Sequence, residues 1–573
     1  MNISVFLIFI LLYTSADLWV VASLHTGTFG EAVKIMLSGN FILNLLVIVL
    51  ITGIFTGLLG THLGGFLFLL LIAADSFGNF VKIKYHNDAL IPADLTILDE
   101  FREIAGDYIT LPYRAAIGGF LALAAALIIA FRRQLGAFFM PSFSPVCFVY
   151  IVLLMAFYIA ASCDMLGFMG IEPKKYKDMS SNEAIQKNGL AVYTLLAFTK
   201  DGYAKAPEGY SSDITQEISA YAAKNQPLDK KPNVILILAE SLYEADKTPG
   251  ITYNKPLFKN LEKYKAANAV SPVYGGRTVA AEWESLTGLS NFFLPEGQIA
   301  YTAYLNKKND NIGSIAREFA DEGYFTCAVH ANDASFYSRD IVFENMGISR
   351  FYDIKDFELK KDDIMGDGRA NDRVFVDKII EILENKKEPV FMFGASLEGH
   401  SPYGRKYEKT DIIASADGVP QKQLDEMSAY GQSARNFDEQ MGRLIEYCKN
   451  SNEPYLIYIY GDHLPSLGYN MGKEWLNDKN FKCVTPLYAY SNYCDTKIGE
   501  EYVSISRIPV EILKHTGIAH RPYFDFIAKV QEKYPVTRRG FVNDKNDEML
   551  ALYSRITWDM TRGKRYLINN KRV

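Results

Sequence analysis

Apolar residues follow two different rhythms along this chain, and the change comes near residue 168. Before it they run unbroken. Residues 3–24 carry Asp17 as their one charge, residues 41–74 carry none over 34 positions, and further runs occupy 115–131 and 146–162. A helix crossing a bilayer needs about 20 consecutive apolar residues. The 41–74 run is therefore long enough for two spans, with a break predicted at the Gly-Thr-His-Leu-Gly-Gly stretch 60–65, near 41–59 and 63–80. The pattern predicts about five membrane spans within residues 1–167. Between the third and fourth, residues 90–108 place Leu95, Leu98 and Phe101 at helical spacing after Pro92. This reads as an amphipathic helix on the membrane surface or as a plain connecting helix.

Beyond residue 168 the apolar runs shorten and alternate with helical patterns. After a polar stretch at 168–230, read as a linker with short helices, come "NVILILAES", "YFTCAVHA", "PVFMFGAS", "YLIYIYGDH" and "TPLYAYSN", with a long helical pattern at 425–449. Short buried strands alternating with helices predict an α/β domain over 231–573 with a largely parallel sheet. Such sheets bind ligands beyond the carboxyl ends of their strands. Glu240, His330, Asp462 and His463 all stand at predicted strand ends.

Charge adds orientation. Arg132 and Arg133 lie in the short loop between the last two predicted spans. The excess of positive charge on cytoplasmic loops puts that loop inside and everything after 168 outside the cell membrane, extracellular or periplasmic. A net charge of −6 gives no reason to expect a nucleic-acid partner. Six scattered cysteines without a CxxC pair exclude a disulfide scaffold.

Three groups of residues carry candidate chemistry. Glu240 closes an apolar strand and reads either as a helix cap or as a ligand. Asp462 and His463 follow Gly461 at another strand end, where both side chains can turn toward one ion; the alternative is a capped turn. Thr278 follows Gly275, Gly276 and Arg277 and precedes a helical pattern through Trp283, Leu286 and Leu289. It reads as an N-cap or as a nucleophile whose alkoxide the helix dipole would stabilise.

The order "ILAES", "GGRTVAAE", "HANDASFYSRDIVFENMGISRFYD", "LEGHSPY" and "YGDH" resembles the lipoteichoic acid synthase and phosphoglycerol transferase family of the alkaline phosphatase/sulfatase superfamily. The resemblance covers 233 to about 495, and the tail "YSRITWDMTRGKRY" is also similar to a family ending. It implies that Glu240, Thr278, Asp462 and His463 hold one divalent metal ion, with Thr278 also the nucleophile. It implies that His330, Tyr337, Arg339 and His400 hold the substrate phosphate or head group; Glu282 matches the pattern as well. Tyr337 stands where the family more usually has Trp, and Val279-Ala280 replaces a frequent Ser-Asp pair, so head-group identity is left open. The mostly hard ligand set favours Mn²⁺, with Mg²⁺ or Zn²⁺ as alternatives.

The implied activity is a membrane-anchored phosphotransferase. It would move a phosphoglycerol-type group from a phosphatidylglycerol-like lipid to a glycan or polymer hydroxyl through a covalent phospho-threonine. The competing readings are a phosphoethanolamine transferase or phosphodiesterase of the same superfamily, and a catalytically inactive extracellular binding domain. A sulfatase activity is disfavoured, since Thr278 lacks the C/S-x-P-x-R context for formylglycine.

Overall fold

The computed structural model describes residues 41–86, 143–162, 181–202, 206–223, 226–295, 297–465, 483–538, 540–542 and 547–569, with isolated positions 7, 10–15, 17, 20, 89, 90, 94, 165 and 467. The chain forms two compact units. One comprises Met1–Ala204 with Pro295–Gly297, the other Lys205–Leu294 with Gln298–Val573.

The described part of the first unit is helical: α1 Phe41–Leu59, α2 Thr61–His86, α3 Val146–Ser162, α4 Ser181–Asn188 and α5 Leu190–Gly202. Leu43, Val47 and Ile48 of α1 pack with Phe68 and Ile72 of α2 and with Leu190, Val192 and Leu196 of α5. The single charge of the first apolar run has a structural use. Asp17 is fully buried and its Oδ1 accepts the Leu190 N–H at 2.8 Å, while Asn44 donates to the same carboxylate and accepts from Val192 N–H at 3.1 Å. Together they satisfy otherwise orphaned donors at the start of α5. The opposite surfaces are apolar and exposed, as at Ile42, Leu46, Leu58, Leu71, Val149, Val152 and Ile159.

Three expectations change here. Among the described residues two helices, Ile42–Leu59 and Leu63–Phe80, are long and apolar enough to cross a membrane, not about five. The 146–162 run forms α3, an apolar helix of 17 residues, at the lower end of the about 17–25 residues that cross a bilayer. The runs 3–24 and 115–131 and the amphipathic segment 90–108 lie outside the described residues except for scattered positions. The break between α1 and α2 is one residue, Gly60, rather than the whole 60–65 stretch. The expected linker 168–230 is also divided. Its α4 and α5 bury Ala184, Ile185, Leu190 and Tyr193 in the first unit's core, whereas residues from 205 onward belong to the second unit.

The second unit is built on an eight-stranded sheet ordered β10-β3-β9-β8-β1-β6-β4-β5, with a separate two-stranded β2-β7 ribbon. The strands are β1 Asn233–Ala239, β2 Thr252–Tyr253, β3 Lys265–Val270, β4 Phe325–His330, β5 Arg350–Tyr352, β6 Val390–Ala395, β7 Ala414–Ser415, β8 Tyr455–Gly461, β9 Val484–Ser491 and β10 Tyr502–Ser504. Central β1, β6 and β8 are buried along their whole length, as unbroken apolar runs in a sheet covered on both faces should be. One face packs Ile235, Ile237, Ile457 and Ile459 against Ile379 and Leu383 of helix Asp372–Asn385 and Phe437, Met441 and Leu444 of helix Gln421–Lys449. On the other face, Phe319 stacks on Phe391 with ring centroids 4.7 Å apart, and Phe343 meets Phe393 edge-on.

The sheet is mixed rather than parallel throughout. β9, the "TPLYAYSN" strand, runs antiparallel to both β8 and β3. Its carboxyl end therefore lies at the opposite edge from those of β1, β4, β6 and β8. In the parallel centre, Ala239 pairs with Gly461, Leu238 with Ala395 and His330 with Ala395. This register brings four strand ends level.

Candidate metal and nucleophile site

Glu240, Asp462 and His463 emerge from the level ends of β1 and β8, and one ligand atom from each lies within 4.8 Å of the others. All three are buried. The Asp462 Oδ1 accepts two backbone N–H bonds, from Ser241 at 2.7 Å and from His463 at 2.9 Å. The Glu240 Oε1 accepts the Ser241 hydroxyl at 2.9 Å. His463 donates through Nδ1 to the Leu464 carbonyl, 3.0 Å away, so Nδ1 carries the proton. Its Nε2 then turns a lone pair inward, 3.7 Å from Glu240 Oε1 and 3.2 Å from Asp462 Oδ2. Gly461 has a packing role: a Cβ there would lie 2.1 Å from the Leu242 carbonyl oxygen.

Thr278 opens helix Thr278–Thr287, and its Oγ1 donates to Glu240 Oε2 at 3.2 Å. Arg277 immediately before it holds φ of 62°, in the left-handed region. Four of the six non-glycine residues with positive φ among the described residues flank this site: Ser241, Arg277, Tyr337 and Ser338. Each such conformation costs roughly 1–3 kcal/mol and persists where surrounding structure enforces it.

The donor set fits a divalent cation. Asp462 Oδ2 is buried without a hydrogen-bond partner. Burial and the nearby Glu240 charge push the Asp462 carboxyl up to about 7. Despite its own burial, Glu240 is held below the usual carboxylate range by His400, His463, the Ser241 hydroxyl and His330. Two carboxylates this close in a dry site need a compensating positive charge, and an imidazole lone pair beside an orphaned carboxylate oxygen is a ligand arrangement.

The residues expected around the substrate are placed as follows. His330 ends β4, with Nδ1 donating to the Ala395 carbonyl at 2.9 Å. Burial, reinforced by the Arg339 charge, pushes it down to about 3, so its ring is neutral and Nε2 is an acceptor. His400 lies past β6 and is likewise held low, mainly by burial. Its Nδ1 donates to the Ser401 carbonyl. Arg339 is buried and its fork is already closed: Nε lies 3.1 and 3.2 Å from the two Glu282 oxygens and Nη2 lies 2.7 Å from Oε1. The Phe336 and Tyr337 rings stand 5.9 and 5.6 Å from its guanidinium. Glu282 is thus the counter-ion of Arg339, one turn along the helix that Thr278 begins. Motif order had included Glu282 without assigning it this role. Sequence reading also missed Ser396, whose Oγ accepts the Glu240 N–H at 3.0 Å. A serine after an apolar strand carries no local signal for that contact.

Similarities to known proteins cover about two thirds of the chain and, in one structure, 92% of it. Over 389 residues the chain is 28% identical to a Rhizobium meliloti (strain 1021) protein provisionally assigned to cyclic beta-1,2-glucan modification, covering 63% of this chain and 60% of that one. It is 22% identical over 386 residues to lipoteichoic acid synthase 2 of Bacillus subtilis (strain 168), covering 62% of this chain and 56% of that one. The chain therefore spans less than two thirds of the length of these relatives. The fold is similar to that of the Streptococcus pyogenes phosphoglycerol transferase GacH in complex with sn-glycerol-1-phosphate, with a TM-score of 0.55, 22% identity, and coverage of 65% of this chain and 99% of that one. It is also similar to that of the integral membrane protein lipooligosaccharide phosphoethanolamine transferase A (EptA) from Neisseria meningitidis, with a TM-score of 0.55, 14% identity, and coverage of 92% of this chain and 98% of that one. Residues 232–518, half of the chain, match the Sulfatase family. With its central sheet, its acid-imidazole cluster at the strand ends and its lipoteichoic acid synthase relatives, the chain belongs to the Sulfatase family, as a lipoteichoic acid synthase-like member of the alkaline phosphatase/sulfatase superfamily.

Proposed function

We propose that this protein is a membrane-anchored, metal-dependent phosphotransferase that moves a phosphoglycerol-type group from a phosphatidylglycerol-like lipid to a hydroxyl of a cell-envelope glycan or polymer. The observation that carries the reading is the Thr278 hydroxyl, held at a helix start 3.2 Å from Glu240 and beside the Glu240, Asp462 and His463 cluster. In the first step the Thr278 oxygen bonds to phosphorus and the bond to the lipid alcohol breaks, that alcohol leaving with a proton. In the second, the acceptor hydroxyl bonds to phosphorus and the bond to Thr278 breaks. A divalent cation on Glu240, Asp462, His463 and Thr278, with Mn²⁺ favoured, would lower the pKa of the threonine and neutralise phosphate charge.

The chain's own residues do the rest. Glu240 accepts the Thr278 hydrogen bond and so aims its oxygen. The Nε2 of neutral His330 can accept a hydrogen bond from a head-group hydroxyl, and the Nε2 of His400, also an acceptor while its ring is neutral, can take the proton of the reacting hydroxyl and then hand it to the leaving oxygen. The Glu282 contact fixes the Arg339 plane, leaving its Nη1 edge, which makes a long 3.4 Å contact to Phe336 O, as the part that could reach a phosphate. The convergence of all four proposed ligands supports an active enzyme over an inert binding domain. The two membrane-length helices and the fold likeness to an integral membrane transferase support an anchored enzyme with its catalytic unit outside the cell membrane. The glycan-modifying and lipoteichoic acid relatives support a glycan or polymer acceptor.

The test is intact-mass analysis of the full chain in detergent with Mn²⁺ and either phosphatidylglycerol or phosphatidylethanolamine. An adduct of one phosphoglycerol group that disappears in Thr278→Ala is expected. An ethanolamine-phosphate adduct instead would make the enzyme a phosphoethanolamine transferase, and an adduct that survives Thr278→Ala would remove Thr278 as the nucleophile.

A further inference from the structure

The loop after β6 carries His400 and is fastened from several directions. At its start, Ser396 Oγ receives the Glu240 N–H. Gly399 lies so close to the Glu240 carbonyl that a Cβ would stand 1.9 Å from its oxygen. The Leu397 and Glu398 N–H groups donate to Asp372 Oδ1 at 3.1 and 3.2 Å, and the Asp372 N–H returns to Glu398 Oε2 at 2.8 Å. Tyr407 and Asn436 donate to Glu398 Oε1 at 2.5 and 2.6 Å, and Tyr403 donates to the Gly399 carbonyl at 2.9 Å. The carbonyls of Glu398 and of His400 itself are held by one further side chain. Both accept from the ammonium of Lys406.

Lys406 is an unusual residue to find there. It is 1% exposed, and among the described residues its ammonium has no carboxylate within ion-pair distance. It sits 4.9 Å from the centre of the Tyr403 ring. Burial pushes it down to about 8, against the more distant charges of Asp367, Glu398 and Asp372. A buried ammonium without an ion-pair partner is costly, and a neutral side chain would fill the space at lower cost. What the charge achieves is two strong hydrogen bonds to the backbone on either side of Gly399. These set the direction in which the chain delivers His400.

We propose that Lys406 is a positioning residue that acts through His400: it ties the Glu398 and His400 carbonyls so that the His400 imidazole is presented to the Thr278 site. This inference rests on the proposed transferase reading, in which His400 takes part in the phosphoryl step.

The experiment is a mutant cycle on the full chain in detergent with Mn²⁺, reading the rate of the Thr278 adduct at varied phosphatidylglycerol and, separately, the thermal shift on adding Mn²⁺. Lys406→Met should lower the limiting rate about 10- to 100-fold while the half-saturating lipid concentration changes less than about threefold. The Mn²⁺ shift should be kept, because Lys406 touches none of the proposed ligands. Lys406→Gln, whose amide can still donate to one carbonyl, should lose less than Lys406→Met and serves in its place if that variant does not fold. In a His400→Ala background, Lys406→Met or Lys406→Gln should cost less than about a further threefold. A further tenfold loss in that background, or Lys406 variants within twofold of wild type when His400→Ala itself is impaired, would overturn the proposal alone. If the wild type forms no adduct, or His400→Ala is as fast as wild type, the functional reading of the site falls, and this inference with it.

Discussion

Glu282→Gln is the most direct probe of how the site is assembled. The change keeps shape and removes charge from a carboxylate that is fully buried, against a guanidinium 2% exposed. Three contacts between 2.7 and 3.2 Å are weakened together. The larger effect is what remains, an uncompensated buried guanidinium. Removing one partner of such a pair typically costs about 3–5 kcal/mol, far above the ~1 kcal/mol of a single neutral hydrogen bond. That is a large share of the roughly 5–15 kcal/mol by which a domain is stable. It should lower the melting temperature of the catalytic unit by roughly 5–10 °C. Arg339→Met alone should cost less, because an isolated buried carboxyl can take up a proton and a guanidinium cannot lose one. The double variant Glu282→Leu with Arg339→Met replaces the pair by apolar groups and should be more stable than Glu282→Gln. The assay is differential scanning calorimetry of the full chain in detergent, following the catalytic-unit transition. A Glu282→Gln shift below about 2 °C, or a double variant no better than Glu282→Gln, would refute the claim that each charge is the main compensation of the other.

Chelation should destabilise the catalytic unit and re-added Mn²⁺ should restore it, by about 2.7 kcal/mol at a hundredfold excess over Kd; unchanged melting and adduct formation after exhaustive chelation would remove the metal from the site. His330 is neutral when folded, with a pKa near 3, but takes a proton below 6.5 when unfolded. The unfolded state then binds more protons between those values, so this residue makes stability fall as pH drops from 6.5 toward 3, by up to about 1.4 kcal/mol per pH unit. Denaturation of wild type and His330→Gln across that range should show the wild type alone carrying this slope; the opposite slope from Asp462, raised to about 7, is common to both proteins and cancels, so parallel curves would contradict a neutral buried His330. Protease added to spheroplasts should cut beyond residue 205, and protection matching a cytoplasmic marker would reverse the topology.

Local chemistry made much of this molecule legible in its sequence. Apolar runs that stop at Glu240, His330 and Asp462 read as buried strands with polar ends, because a strand's burial depends on its own residues. The sheet partners of those strands do not. Ser241 N–H and Asp462 are hydrogen-bonded across 221 positions, and only the Ala239–Gly461 register places them together. β9 reads like its parallel neighbours because side-chain alternation is the same in either direction; hydrogen bonding decides that it runs antiparallel. Counting apolar residues found α1, α2 and α3, because an unbroken apolar run marks a helix whatever packs beside it. Arg339 and Lys406 mark the same boundary. The motif that carries Arg339 implied a phosphate contact, and Lys406 in "GRKY" carried no signal of its own. Tertiary packing buried both, closing the first on Glu282 and turning the second onto two carbonyls. Residue type along the chain determined which groups could bind a cation or a phosphate. Which of them meet, and with what charge left over, was decided by contacts between segments that no local pattern encodes.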